Sequence, residues 1–449
     1  MKSTSNDPRR HGINRRHALC CTGALAAGLF TSLGARADRG PADGDDGGSP
    51  WRNPCRGTLP AELARHDVVL SAFDGLDATK LVDVHAHLLG TGDSGSGCTI
   101  HPSMRQWWRP LEVLRRKVIL NAACIDEDAG SVDRAYVQRL SSLAADFPAG
   151  ARWWLYAFAH AADDDGRERP DWSTFTVPDA YAAEVAAAHP ARFDWVASIH
   201  PYRPDAVERL RQAAARGAQA VKWLPSAMNI DLASPRCRPF YDALVATGLP
   251  LVVHCGEEAA APGARQEAYG NPLAVRAPLA AGVTVIVAHA ASLGHAHDTD
   301  RPSAPKVPAF DLWARVMDEN RGSPRLLADL SAVFQRNRRP TVWRRILERE
   351  DWHAQLLHGS DHPLPGVMPL TSLDKLVAAG LLAAADAPVL QRVRAHNPLL
   401  ADFVLKRRLA LGSVRLPPSV FEGVALARLR AASSAAGRDA AATTNPTTT

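Results

Sequence analysis

The chain has 449 residues, 46% hydrophobic and 22% charged, proportions that exclude a coiled coil, a collagen-like chain or a wholly disordered one. The formal charge of +5 is local. Residues 1–37 hold Lys2, Arg9, Arg10, Arg15, Arg16 and Arg36 against Asp7, so totals of 52 and 47 leave 46 cations and 46 acids elsewhere. A body of zero formal charge gives no electrostatic case for binding nucleic acid or an anionic membrane.

In chain order, the first predicted element is a leader. Arg15-Arg16 precede a weakly apolar run to Leu33 and a small-x-small site at Ala35-Arg36-Ala37. This resembles a twin-arginine export signal cut after Ala37, with the export machinery as the precursor's partner and a periplasmic or secreted destination. The run is a poor permanent span and no other segment is apolar enough to cross a bilayer, so a soluble mature protein is expected. Residues 38–77 read as a linker and N-terminal extension, Gly/Asp-rich over 38–50. Residues 410–430 read as a C-terminal extension, and 431–449 as a low-complexity tail. Beyond Cys20 and Cys21 there are five cysteines, an odd number with no zinc-type spacing. One bridge is compatible with an oxidising compartment, with the loop residues Cys55 and Cys98 as one candidate pair, and the sequence leaves the pairing open.

From residue 78 to 409 two textures alternate. Short, nearly continuous apolar runs occur at 81–87, 153–159, 194–199, 219–224, 250–254, 283–289, 326–333 and 355–361. Strands of a parallel sheet buried on both faces read this way. Between them lie helical stripes: Val207, Leu210 and Ala214 before Gly217; Phe240 and Leu244 before Gly248; Phe310, Trp313 and Met317; Val342 and Ile346. Eight strands with intervening helices over about 300 residues predict an α/β fold, a (β/α)8 TIM barrel. A doubly wound open sheet is the runner-up, but no GxGxxG follows the first strand.

Reactive groups of such a barrel lie at the C-terminal ends of its strands. His85 and His87 close the first run, His254 the fifth, His289 the sixth and Asp361 the eighth, while Lys222 lies within the fourth. Strand alternation places Asp83, His85 and His87 on one side. Each residue alone is weak, since seventeen histidines occur in the chain. The coincidence of type and place at four separate strand ends is the signal.

The motifs DVHAH, VKWLP, VVHCGE, VIVAHAASLG and LLHGSDHPLP resemble the strand-end motifs of the amidohydrolase superfamily. More narrowly they resemble its amidohydrolase-related branch, which holds lactone and amide hydrolases and metal-dependent decarboxylases of carboxylated semialdehydes. The resemblance implies a metal held by His85, His87, His254 and Asp361. Asp361 would also move protons, and His289 would ligate metal or polarise substrate. It implies Lys222 as a substrate contact or, if carboxylated, a bridge between two metals. Imidazole and carboxylate suit one Zn2+ per chain, with Mn2+, Fe2+ or Co2+ compatible, and a divalent ion acidifies its water to a pKa of about 7. Asp83 is a candidate to orient a ligand.

Smaller candidates surround these. Glu257 or Glu258 after His254, and His160 and His200 after the second and third strands, are placed to meet substrate. Arg105, Trp107, Trp108 and Arg109 suit a lid over an aromatic or carboxylated substrate, or packing on the barrel top. Arg336, Arg338 and Arg339 fit an anion site or a solvated basic loop. His358 and His362 are expected to point away from Asp361. The function implied is hydrolysis of an amide, lactone or ester of a small molecule. The alternatives are non-oxidative decarboxylation on the same barrel and a non-enzymatic exported binding protein. Similar barrels often dimerise, which makes a homodimer the assembly the resemblance suggests.

Overall fold

A computed structural model describes residues 51–428. The leader, the 38–50 linker and the 431–449 tail lie outside the described residues. Eight parallel strands form the scaffold: β1 Val82–His87, β2 Arg152–Tyr156, β3 Phe193–Val196, β4 Val221–Trp223, β5 Leu251–His254, β6 Val285–Ala288, β7 Leu326–Asp329 and β8 Leu356–Leu357. β1, β2 and β3 pair in that order, and β4 to β8 pair in sequence. The bridge Ala197–Val221 joins β3 to β4, and the bridge Ala86–His362 joins β1 to the segment leaving β8. The Val84 amide donates to the His358 carbonyl at 2.9 Å. The sheet is therefore closed on itself as the predicted TIM barrel, with no free edge.

The strands read as continuously apolar because each has two buried faces. Val84, Tyr156, Val196, Ala220, Val252, Ile286, Leu327 and Leu357 share one interior cluster. Val221, Val253, Val287, Ala328 and Leu356 belong to the larger cluster under the helices. The four predicted helical stripes lie on Ala206–Ala215, Arg238–Thr247, Ala309–Glu319 and Pro340–Glu348. The second ends at Gly248 in the left-handed region, a conformation glycine adopts without a Cβ penalty. After β8, helices Asp386–His396 and Pro398–Arg408 close the domain; Asn397 caps the latter by accepting from the Leu400 amide, with Pro398 at its first position.

Two segments assigned outside the barrel are part of its packing. Ala425 and Leu426 join the interior cluster, against Val82 at the start of β1, the end opposite His87. Leu63, Val69 and Ala72 of the N-terminal extension join the outer cluster. The candidate pair Cys55–Cys98 is corrected: Cys55 is bonded to Cys124, with Cα atoms 5.4 Å apart, and Cys98 is free and buried. The reason is tertiary. The Asn53 amide donates to Asn121 Oδ1 at 2.9 Å and Asn121 Nδ2 to the Asn53 carbonyl at 3.2 Å, which brings two stretches far apart in sequence side by side. Among the described residues no helix is long and apolar enough to cross a membrane.

Candidate active site

The interior face of each strand is set by parity, and the same parity carries polar groups at the C-terminal ends. Continuing from Ala220, Val252 and Leu327 by two residues gives Lys222, His254 and Asp329. All three are buried, as are His85, His289 and Asp361.

Strand β1 departs from simple alternation. Its register to β2 shifts between Asp83 and Ala86, and Val82 and Val84 both face the interior cluster. Asp83 therefore lies on the other side from Val84, not beside His85 and His87. Its Oδ1 accepts from the amides of His85 (3.0 Å) and Ser360 (2.9 Å). It pins the two strand ends through their backbones and does not touch a ring.

Three groups converge at the top of β1 and β8. His87 Nε2 lies 3.1 Å and His85 Nε2 3.5 Å from Asp361 Oδ1. Asp361 arrives from a loop with φ of +62°, its amide donating to the His85 carbonyl at 2.7 Å. Gly359 lets that loop pass, since a Cβ there would stand 2.8 Å from His85 Cβ. On the other edge of the imidazole, His85 Nδ1 lies 2.9 Å from Asp329 Oδ2. His289 stands alongside, its ring centroid 4.7 Å from that of His85. Its Nδ1 lies 3.1 Å from the Ser331 carbonyl and 2.7 Å from Ser331 Oγ. Residues His289, Ala290 and Ala291 all have positive φ, a strained run of about 1–3 kcal/mol per residue that clusters at sites over-determined by their surroundings.

The residue the sequence reading missed is Asp329. As a sequence the run 326–333 reads as one strand with Asp329 in its middle. The strand ends at Asp329 because its Oδ1 accepts from the amides of Ser331 (3.0 Å) and His289 (3.1 Å), a local side-chain bond that competes with the ladder. An Asp closing an apolar run was the available signal.

The electrostatics suit a cation. A carboxylate and a carbonyl only accept, so Nδ1 carries the proton in neutral His85 and in neutral His289, leaving Nε2 as the lone-pair nitrogen. Burial pulls His85 down to about 4, against the pull of Asp329, and holds His289 well below its ordinary value. Burial opposes ionisation of Asp361 and Asp329, yet the surrounding imidazoles hold both below the usual carboxylate range. His85 Nε2 is buried without a hydrogen-bond partner. Two ionised carboxylates and lone-pair nitrogens in a dry site call for a positive charge between them. His85, His87 and Asp361 form one group with ligand atoms within 4.8 Å of one another, and His85, His289 and Asp329 form another. In the first, Asp329 is free to hold the far edge of His85, the arrangement that orients a metal-ligating imidazole.

The remaining candidates sit as follows. His254 is one ring further on, its centroid 5.2 Å from that of His289, with Nδ1 3.4 Å from Glu258 Oε2 and Nε2 3.3 Å from the Glu257 carbonyl. Glu258 is thus the acid beside His254, and the Glu257 side chain is exposed. Lys222 Nζ is buried without a hydrogen-bond partner, 5.3 Å over the Tyr156 ring, and burial lowers its pKa. His200 is engaged by backbone on both sides: Nε2 donates to the Met228 carbonyl at 2.8 Å and Nδ1 accepts from the Tyr202 amide at 3.2 Å. Arg105, Trp107 and Trp108 are exposed; Trp107, at 83% exposure, packs edge-on against Trp108 and not on the barrel top. His358 packs between Phe403 and Phe421 and His362 against Tyr136, both away from Asp361 as expected.

Among solved structures, the chain is similar to an uncharacterised TIM-barrel protein from Bordetella bronchiseptica (15% identity, 67% of this chain and 99% of that one, TM-score 0.42). It is also similar to a probable 2-pyrone-4,6-dicarboxylic acid hydrolase from Acinetobacter baumannii (12% identity, 73% and 99%, TM-score 0.40). A third is 5-carboxyvanillate decarboxylase from Sphingomonas paucimobilis (12% identity, 78% and 98%, TM-score 0.43). No curated protein matches. The family model described as Amidohydrolase matches residues 82–399, a span that runs from the first residue of β1 through every strand-end residue of the site. The chain belongs to the amidohydrolase family of TIM-barrel enzymes.

Proposed function

We propose that the chain is a metal-dependent hydrolase of amides, lactones or esters, exported by the twin-arginine route. The observation that carries the reading is the convergence of His85 Nε2, His87 Nε2 and Asp361 Oδ1, with Asp329 holding the far nitrogen of His85. His85, His87 and Asp361 would hold one divalent ion; His254, engaged by the Glu257 carbonyl and Glu258, would join them only with its ring turned. Imidazole with carboxylate favours Zn2+. Bound there, such an ion acidifies water and polarises a carbonyl.

The chain's own residues supply the proton movement. Asp361 Oδ1 is committed to the histidines of β1, while Oδ2 faces His289 Nδ1 at 3.9 Å. A carboxylate held ionised takes a proton from water at Oδ2 and returns it to the leaving group. His289, its Nδ1 proton engaged by Ser331, keeps a lone pair on Nε2, which suits the metal-ligating role over that of polarising the substrate. Lys222 reaches the same interior layer from β4 as a substrate contact, or as a bridge to a second metal if carboxylated. The bridge Cys55–Cys124 supports the export reading, since disulfides persist in oxidising compartments.

A second reading draws on the same Asp361–His289 contact. In non-oxidative decarboxylation Asp361 would deliver a proton to the carbon that loses CO2, so the two reactions differ in substrate pose and not in machinery.

Elemental analysis of protein purified without chelator or affinity metal tests the reading. About one divalent ion per chain is expected, and about two would promote Lys222 to a bridging ligand. No retained metal after loading with Zn2+ and Mn2+ would end the metalloenzyme reading. Assays of lactones and carboxylated semialdehydes, following ring opening against CO2 release, then separate hydrolase from decarboxylase.

A further inference from the structure

Three arginines follow β7, and the structure separates them. Arg336 is half-buried and Arg339 is exposed, the latter 3.7 Å from Asp311. Arg338 turns inward and is 8% exposed. Its Nε donates to Ser292 Oγ at 3.3 Å, and its Nη1 to Gln335 Oε1 at 2.7 Å and Asn337 Oδ1 at 2.6 Å. Every one of these acceptors is neutral. Among the described residues no carboxylate forms an ion pair with Arg338, and no acceptor engages its Nη2.

Ser292 lies three residues beyond His289, so the Arg338 guanidinium spans the loops after β6 and β7 at the end of the barrel that holds the site. The acids whose field it feels are Asp361, Glu258 and Glu257. Two of these are already occupied. Asp361 is held by the β1 histidines, and Glu258 by His254 and by the amides of Ala260 (2.7 Å) and Ala261 (2.8 Å). A guanidinium keeps its proton near neutrality, and a buried charge without its own counter-ion is costly unless a ligand supplies one. Neutral acceptors fix the orientation of the fork and leave Nη2 unclaimed.

We propose that Arg338 is a specificity-determining residue that receives a carboxylate of the substrate, at a point away from the bond that reacts. A singly charged carboxylate fits better than a dianionic phosphate, because Arg338 brings one positive charge and sits in the field of three acids. Naming the bound anion as substrate rests on the metalloenzyme reading above, whereas the anion site itself does not.

The test uses the full chain as purified, compared at equal metal content so that any binding through an ion is common to wild type and variants. Benzoate and its neutral isostere benzamide are titrated by calorimetry into wild type, Arg338→Gln and Arg338→Lys at fixed ionic strength, with folding checked by circular dichroism. Benzoate is expected to bind wild type at least about tenfold more tightly than Arg338→Gln, with Arg338→Lys in between and benzamide indifferent to all three. Equal benzoate affinity for wild type and either variant, or no benzoate binding to wild type, overturns the proposal. Inorganic phosphate binding more tightly than benzoate overturns the choice of carboxylate. Metal content, measured separately on the same variants, keeps the two readings apart. Unchanged metal with Arg338-independent benzoate sinks only the Arg338 proposal, and absent metal with Arg338-dependent benzoate sinks only the metalloenzyme reading.

Discussion

Asp329 Oδ2 accepts from His85 Nδ1 at 2.9 Å, joining the ends of β7 and β1 across 244 residues of sequence. The bond decides which imidazole nitrogen carries the proton, and so turns the lone pair of Nε2 toward Asp361. Asp329→Asn tests this. Asn keeps an acceptor for the amides of Ser331 and His289, so the fold should survive. The His85 tautomer loses its lock, and metal affinity should fall about 10–100-fold, as read by competition with a chelating dye. Unchanged affinity would mean that the carboxylate serves only the turn.

His85→Ala with His87→Ala should reduce retained metal from about one ion per chain to a small fraction, without unfolding the barrel, because the interior apolar cluster itself is left unchanged. Plasma mass spectrometry after gel filtration reads the outcome. Full metal content in the double variant would move the site to His289 and Asp329.

Asp361→Asn separates holding from proton transfer. The amide still offers an oxygen at the Oδ1 position but cannot take a proton, so turnover should fall by about 10²–10⁴-fold. The acidic limb of the rate profile should also flatten. A loss below tenfold would assign the proton transfer elsewhere.

The bridge Cys55–Cys124 closes a loop of 69 residues, a length for which chain entropy gives about 4 kcal/mol of stabilisation. Reductant, or Cys55→Ser, should lower the denaturant midpoint accordingly. A non-reducing peptide map should show Cys55 linked to Cys124 with Cys98 as a thiol; a Cys55–Cys98 peptide would contradict the structure.

His200 gives a pH signature apart from the site. Burial lowers it to about 4 from 6.5, while the Met228 carbonyl and the Tyr202 amide fix its neutral form. Between those values the unfolded chain binds a proton that the folded chain refuses. Its stabilisation is therefore complete above about 6.5 and is lost as pH falls toward about 4, on the order of 3 kcal/mol. His200→Asn, which keeps an acceptor for the Tyr202 amide at the Nδ1 position without titrating, should flatten this part of the stability–pH curve in denaturant melts, at the cost of the Met228 bond at all pH values. An unaltered slope would assign the acid sensitivity to other groups.

The sequence alone determined the eight strands and the helices between them, because a parallel barrel buries both faces of every strand and leaves uninterrupted apolar runs. It also determined which strand ends carry His85, His87, His254, His289 and Asp361, because the residue types that chemistry needs stand out against those runs. Tertiary structure decided what depends on distance between strands. Asp329 became visible only when β7 ended where its carboxylate caught two amides, and Asp83 changed sides only through the register shift in β1. His200, a plausible substrate contact by position, is spent on backbone that lies beside it only in the fold. Cys55 found Cys124 through paired asparagines far apart in the chain. Arg338 differs from Arg336 and Arg339 in nothing that a sequence records. Its burial and its neutral partners come from the loop after β6, and only the closed barrel brings that loop within reach.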